Sequence, residues 1–387
     1  MNNDKRIAAH ITHTFFEGSE TFIYNYISHL KAYQPICLAW KFDNLNQFPF
    51  PEENMYLLSS DRYSLKWLYN QASKRFSGIN PALRTIFKDQ NIGLIHAHFG
   101  PNGVYALNIK KYFNIPVVTS FYGYDLSNYS TIKKWKRGYE VLFMEGDIFL
   151  VEGLCMKSKL AALGCPEEKI EIQRLGIPLD QIDFIPRQPK KDKERTILIF
   201  SGRFVEKKGI IYALMAMREL IKTYSNLELH LIGDGPLRQE IKEFIKTNNM
   251  DNYVKLSGFL SYSDYLKKMQ NGDIFVHPSI TASDGETEGG APMVILEAQA
   301  MGMPVVSTLH ADIPNIVVPG KSALLSEEGD YAALAKNIAY LLENQETWIE
   351  MGRAGRMFVD TYHNIEKEVE ALEKKYDAVL KYTGAAK

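Results

Sequence analysis

Four ionisable side chains in the second half of this sequence stand beside glycine turns. Arg203 and Lys208 lie five positions apart after a short apolar run and a glycine, across a turn that opens a helix near Gly209. Two cations at a helix N-terminus suit a diphosphate. Glu288 and Glu297 flank Gly289, Gly290, Ala291 and Pro292, just before a second helix. The two glycines carry no Cβ, so a ligand can approach the backbone N–H groups there. Carboxylates accept hydrogen bonds from sugar hydroxyls, and two at different depths would face one anionic, hydroxyl-rich ligand. Taken singly, each pair also has a plain reading. Arg203 and Lys208 would form an exposed basic turn, and Glu288 and Glu297 a surface acid and a helix acid around a cap.

Other segments carry weaker signals. The turn containing Gly233 and Gly235 follows a strand-like run and reads equally as an ordinary β–α connection. Phe259 and Leu260, after another such run, offer backbone groups to the edge of a base, or end a strand with Phe259 in the core. In the first half, His96, His98, Tyr122 and Asp125 fall at the carboxyl ends of strand-like runs. His-x-His suggests a metal, but no third and fourth ligand stands at fixed spacing, so no metal ligand is assigned. A hydrogen-bonding or structural role is expected for at least one of the two histidines. His98, nearer the loop, is the better functional candidate.

The elements that must position these groups follow from hydrophobic period and from Gly and Pro punctuation. Strands are expected at Ile7–Thr12, Pro35–Trp40, Met55–Leu58, Ile92–His98, Pro116–Ser120, Asp147–Val151 and Glu171–Arg174. The second half restarts with Thr196–Phe200, Leu227–Ile232, Val254–Ser257, Asp273–Val276, Val305–Ser307 and Ala323–Leu325. Helices are expected at Glu20–Ala32, with Ser19 as N-cap, and at Leu65–Phe76, Pro81–Asp89 and Gly100–Lys111. Further helices follow Gly209 and Pro292 and cover Tyr331–Asn344, Thr347–Tyr362 and Glu366–Tyr382. The last of these carries an apolar stripe of Val369, Leu372, Tyr376 and Leu380.

Strand and helix alternate throughout, which predicts an α/β fold of two doubly wound, Rossmann-like domains facing across a cleft. The first domain is expected over 1–180, with the C-terminal helix, about 366–387, packing back on it. A Pro-rich, charged linker is expected over 181–195 and the second domain over 196–365.

With 387 residues, 45% hydrophobic and 24% charged, the chain suits two globular domains. With a net charge of −1, nothing points to a global nucleic-acid partner or a disordered acidic tail, which leaves room for local patches. Cys37, Cys155 and Cys165 form no CxxC pair and are expected as reduced thiols. No apolar stretch has signal-peptide or membrane-span length, so a cytoplasmic location is expected. The basic-aromatic run 129–139, with Lys133, Lys134, Lys136, Arg137, Tyr129 and Tyr139, would bring the chain peripherally to an anionic membrane, or form a solvated helix face.

Six ordered segments, Ser19–Ile23, His96–Gly100, Phe121–Asp125, Arg174–Ile177, Gly202–Gly209 and Glu288–Thr308, resemble the retaining glycosyltransferases of the GT-B fold. The likeness is to family 4, the glycosyl transferase group 1 enzymes of bacterial polysaccharide and exopolysaccharide synthesis, and it extends over nearly the whole chain. It implies transfer of a hexose from a nucleotide-diphosphate sugar to a hydroxyl of a saccharide or lipid-linked acceptor, with retention and without a metal or other cofactor. By this resemblance Arg203 and Lys208 grip the donor diphosphate, Glu297 bonds the ribose and Glu288 the transferred sugar. The donor side would include Gly18, Gly235, Phe259, Leu260, Gly289, Gly290, Ala291 and Pro292. His98, Tyr122 and Asp125 would serve the acceptor side, with His98 and Asp125 near the chemistry.

Three features depart from the family pattern. Eight residues separate Glu288 from Glu297 where seven are usual, so the loop must bulge or Glu288 be displaced. Tyr122 stands where a histidine is frequent, and Asn315 follows Pro314 where glutamate is usual, with Ala323 in place of a common glycine. A nucleotide-sugar epimerase or a phosphorylase of the same fold is an alternative, as is a non-catalytic two-domain small-molecule binding protein. A nicotinamide dehydrogenase would want GxGxxG after a strand, which the turn at Gly233 does not supply.

Overall fold

Short runs such as Thr196–Ser201 and Leu227–Ile232 are rich in residues that fill a pleated surface, and they are buried almost throughout, as strands covered on both faces must be. The computed structural model describes residues 5–18, 20–58, 79–191 and 194–384. The helix expected at Leu65–Phe76 and the Ser19 cap lie outside the described residues. The chain forms two units, one of Met1–Leu126, Ser130–Gly176 and Ile365–Lys387, the other of Ser127–Tyr129 and Ile177–Asn364.

The first unit contains β1 (Arg6–Ile11), β2 (Thr14–Phe15), β3 (Tyr33–Ala39), β4 (Lys41–Phe42), β5 (Met55–Leu57), β6 (Ile92–His98), β7 (Val117–Ser120), β8 (Ile148–Val151) and β9 (Ile170–Ile172). Seven of these form one sheet in the order β5-β3-β1-β6-β7-β8-β9, and β2 pairs with β4. All described pairings are parallel, with His10 of β1 directly opposite His96 of β6. The chain works outward from β1 to β5 and then returns to the other side of β1. The switch point, where doubly wound sheets bind ligands, therefore lies between β1 and β6.

The helix Ile365–Tyr382 covers this sheet with the expected apolar stripe, burying Val369, Leu372, Tyr376 and Leu380 against Ala8, Leu94, Val118 and Leu150. It also sets the end of the first helix. That helix runs Thr21–His29 rather than to Ala32, because the Lys31 and Ala32 N–H groups both donate to Glu373 Oε1 at 2.7 Å. A tertiary carboxylate thus takes donors that another helical turn would have used.

The second unit contains β10 (Thr196–Ser201), β11 (Leu227–Ile232), β12 (Val254–Gly258), β13 (Ile274–His277), β14 (Val305–Thr308) and β15 (Ala323–Ser326). They form a parallel sheet in the order β12-β11-β10-β13-β14-β15, with its switch point between β10 and β13. Part of the 181–195 stretch is anchored on this unit. Arg187 is buried and its guanidinium donates to the carbonyls of Gly272, Ile185 and Met269. Among the described residues no helix is long and apolar enough to cross a membrane.

Candidate active site

Two loops leave the switch point of the second sheet. The first follows β10 and carries Arg203 and Lys208 into a short turn, Glu206–Lys208, before the helix Ile210–Leu220. Gly209 joins turn to helix with φ +66°, and a Cβ there would lie 1.7 Å from the Pro278 carbonyl oxygen. Only glycine fits, so the two loops touch at backbone level.

The second loop runs from the end of β13 to the helix Met293–Ala300, with Pro292 as its N-cap residue, one place earlier than a first-turn proline. Gly289 and Gly290 are buried, and Gly289 adopts φ +83°. The chain turns there, and Glu288 stays at the cation cluster despite the longer spacing to Glu297. Ala291 is half-buried and Pro292 buried.

Glu288 is the centre of this arrangement. Its Oε2 is 2.7 Å from Lys208 Nζ, its Oε1 accepts from Ser279 Oγ at 2.6 Å, and His277 Nε2 is 3.4 Å away. The Glu288 side chain is only 5% exposed and that of Lys208 14%. Burial alone would push the Glu288 carboxyl up, but Lys208, His277 and Lys207 together hold it well below the usual carboxylate range. Burial pulls the Lys208 ammonium below its ordinary value, against the opposing influence of Glu288. The neighbouring Lys207 pairs with Glu286 at 2.7 Å and donates to the Thr287 carbonyl.

Arg203 differs from Lys208. It is exposed, and its guanidinium has no hydrogen bond or ion pair among the described residues. It lines a pocket with Val205, Lys207, Asp284 and Glu286. The helix-borne acid, Glu297, is buried and accepts from Tyr265 Oη at 2.6 Å. Burial pushes its carboxyl up to about 7, against the hydrogen bonds of Tyr265 and Tyr262.

Gly235 passes so close to Phe204 that a Cβ would lie 2.7 Å from its carbonyl oxygen. Phe259 is 75% exposed just beyond β12, so it is no core residue, and Leu260 beside it is half-buried. Asn315 donates to Asp312 at 2.8 Å, and Ala323 is buried at the start of β15.

In the first unit, the carboxyl ends of β1 and β6 bring together His10, His96 and His98, all buried. His10 escaped the sequence reading because nothing in its own neighbourhood marks it. Only the β1–β6 register places it beside His96. The three can present ring nitrogens within 4.8 Å of one another, among the described residues. They are held by hydrogen bonds. Both nitrogens of His96 are engaged, with Tyr376 Oη at 2.5 Å and Ser120 Oγ at 2.7 Å. His98 Nδ1 is 2.8 Å from Tyr122 Oη, and His98 Nε2 is 3.0 Å from His10 Nδ1. Burial pulls the His10 imidazole down to about 3 and holds those of His96 and His98 well below the usual imidazole value. Neutral rings result.

Tyr122 thus sits on the histidine chain, and with His98 it lines a small cavity beside Glu152 and Gln173. Asp125 is fully buried, and its two carboxylate oxygens accept from the backbone N–H groups of Tyr122 and Gly100, each at 2.9 Å. Burial pushes its carboxyl up to about 7, opposed by those N–H groups. It ties the 121–125 turn to the start of the helix Gly100–Phe113. Gly18 is exposed in a turn before the first helix.

Against this geometry, known proteins give a consistent match. The family model described as glycosyl transferases group 1 matches residues 181–358. The matched stretch includes Arg203, Lys208, Glu288 and Glu297. The chain is 34% identical over 245 residues to the putative colanic acid biosynthesis glycosyltransferase WcaL of Escherichia coli, covering 63% of this chain and 60% of WcaL. It is 33% identical over 269 residues to the amylovoran biosynthesis glycosyltransferase AmsK of Erwinia amylovora, covering 69% of this chain and 65% of AmsK. The matched segment therefore spans less than two thirds of either relative.

Among solved structures, Anabaena HepE in complex with UDP superposes with a TM-score of 0.75 at 14% identity, covering 96% of this chain and 100% of HepE. Sucrose-phosphate synthase from Thermosynechococcus elongatus superposes with a TM-score of 0.77 at 17% identity, covering 98% and 100%. The fold is that of the GT-B glycosyltransferases, with two Rossmann-like α/β domains.

Proposed function

We propose that this chain is a retaining glycosyltransferase of family 4. In this reading it moves a hexose from a nucleotide-diphosphate sugar to a hydroxyl of a saccharide or lipid-linked acceptor, in exopolysaccharide synthesis. The observation that carries the reading is the cluster of Arg203, Lys208 and Glu288 at the β10–β13 switch point, within the stretch matched by the group 1 model. The names of WcaL and AmsK support the exopolysaccharide setting, and the UDP and UDP-glucose complexes of HepE support a nucleotide-sugar donor.

As the bond from the anomeric carbon to the β-phosphate oxygen breaks, negative charge grows on the leaving diphosphate. Lys208 and the unpaired Arg203 answer that charge from fixed positions, and loss of either lowers the rate on the order of 10²-fold or more. These cations take the place a metal fills elsewhere, so activity persists in a chelator. A phosphate oxygen accepts the acceptor's proton on the face the leaving group vacates, which gives retention. Glu288 accepts from a hydroxyl of the transferred sugar and Glu297 from the ribose. Phe259 and Leu260 meet the base, with Gly18, Gly235 and the Gly289–Pro292 segment also on the donor side.

On the acceptor side, Tyr122 and His98 contact the incoming hydroxyl, and Asp125 acts by holding their turn. The helix Tyr129–Glu145 exposes Tyr129 and Met144 and carries Lys133, Lys134, Lys136 and Arg137. That combination supports peripheral contact with an anionic membrane surface at the cytoplasmic face.

The test is a titration of the purified protein with UDP, GDP, ADP and their common sugar conjugates in EDTA, beside Arg203→Ala and Lys208→Ala. One nucleotide bound tightly by the parent and lost in both variants is expected, and it names the donor class. Failure of every nucleotide to bind rejects the reading.

A further inference from the structure

The loop that carries Glu288 is pinned at both ends by one carboxylate that stands outside it. Glu288 donates its backbone N–H to His310 Nε2 at 3.1 Å. With Nε2 accepting, the His310 ring carries its proton on Nδ1, which lies 2.6 Å from Glu328 Oε1 and donates to it. The other Glu328 oxygen, Oε2, accepts from the Thr281 N–H at 2.6 Å. One end of the 281–288 loop therefore hangs on Glu328 directly and the other through His310. The middle is held separately, by Glu206 accepting from Ser283 N and Oγ.

The positions of the two residues follow from sheet order. His310 stands two residues beyond Thr308 at the end of β14, and Glu328 two beyond Ser326 at the end of β15. Thr308 and Ser326 are themselves register partners. Adjacent parallel strands thus deliver both side chains to the same level above the sheet, next to the loop that leaves β13. His310 is 1% exposed, so its bond to Glu288 is sheltered from water, while the Glu328 side chain is 33% exposed.

We propose that His310 and Glu328 are positioning residues for the donor sugar. They fix the backbone of Glu288, so that its carboxylate stands ready for a sugar hydroxyl. They make no direct contact with Arg203 or Lys208 and reach Lys208 only through Glu288, so their effect falls on the sugar more than on the diphosphate. This inference rests on the reading of Glu288 as the sugar contact.

Two substitutions at His310 separate the two bonds. In His310→Asn the side-chain amide reaches Glu328 as Nδ1 does but cannot reach the Glu288 N–H. In His310→Gln the longer side chain presents an oxygen where Nε2 was. Glu328→Gln releases one end of the loop, since one amide oxygen cannot accept from both Thr281 and His310.

The experiment measures affinity for UDP, GDP and ADP and for UDP-glucose, GDP-mannose and ADP-glucose, together with amide hydrogen exchange over 281–288. For the nucleotide that the parent protein binds, His310→Asn and Glu328→Gln lose about tenfold in affinity for the sugar conjugate. Affinity for the bare diphosphate stays within about twofold, and His310→Gln falls between parent and His310→Asn. Exchange at 281–288 is faster in His310→Asn and Glu328→Gln. Equal losses for diphosphate and conjugate, or unchanged exchange in both variants, overturn the proposal. If the parent binds no nucleotide, the glycosyltransferase reading fails, and exchange alone still decides whether the pin exists.

Discussion

Lys208 Nζ and Glu288 Oε2 lie 2.7 Å apart, 80 residues apart in sequence, with both side chains largely out of water. The group proposed for the diphosphate and the group proposed for the sugar neutralise each other in the unliganded protein. A phosphate arriving at Lys208 would share its ammonium with Glu288, so the buried carboxylate would keep its cation partner. Arg203, exposed and unpaired, completes the site from the solvent side.

Removing one partner of this ion pair leaves the other charge buried. Lys208→Met is expected to destabilise the protein by about 3–5 kcal/mol, and the double variant Lys208→Met/Glu288→Gln by much less. Urea unfolding of Lys208→Met, Glu288→Gln and the double variant checks this, and additive losses would contradict it.

Arg203 predicts the opposite pattern. Its guanidinium has no partner among the described residues, so Arg203→Ala should leave stability within about 0.5 kcal/mol. Nucleotide-diphosphate affinity should fall by about tenfold or more, the value of a charged hydrogen bond of roughly 1.5–3 kcal/mol. Calorimetric titration beside thermal unfolding distinguishes this from a structural role.

Asp125 is expected to matter for stability first. Asp125→Asn keeps one acceptor oxygen and turns an amide NH₂ toward a second backbone N–H, at Tyr122 or Gly100. A loss of about 1–3 kcal/mol is expected. The midpoint of denaturant unfolding should shift with nucleotide affinity unchanged.

Glu297 gives a pH signature. Its carboxyl is raised from 4.5 to about 7 in the folded protein. Between those values the folded chain holds a proton that the unfolded chain has released. Its contribution to stability is full below pH 4.5 and is lost as pH rises through about 7. Glu297→Gln still accepts from Tyr265 and does not ionise. Relative to the parent it should therefore gain stability from pH 5 to pH 8, read from urea midpoints at each pH, while losing nucleotide affinity.

Much of this protein is written locally. The alternation of apolar strand runs with helical periods predicts the two doubly wound sheets. Gly209, Gly289 and Pro292 mark the loops, because glycine and proline act through their own backbone conformations. Arg203, Lys208, Glu288 and Glu297 can be picked out because their neighbours in sequence place them just after strands or at a helix start. Tertiary structure decided the partnerships. Strand order, not spacing, puts Lys208 on Glu288, His10 beside His96, and His310 and Glu328 around one loop. It also spends the oxygens of Asp125 on backbone N–H groups and ends the first helix at a glutamate over 300 residues away. Local propensity acts through dihedral angles within a few residues. Charge pairing and hydrogen-bond satisfaction depend on which distant strands become neighbours, and that is settled only when the sheets close.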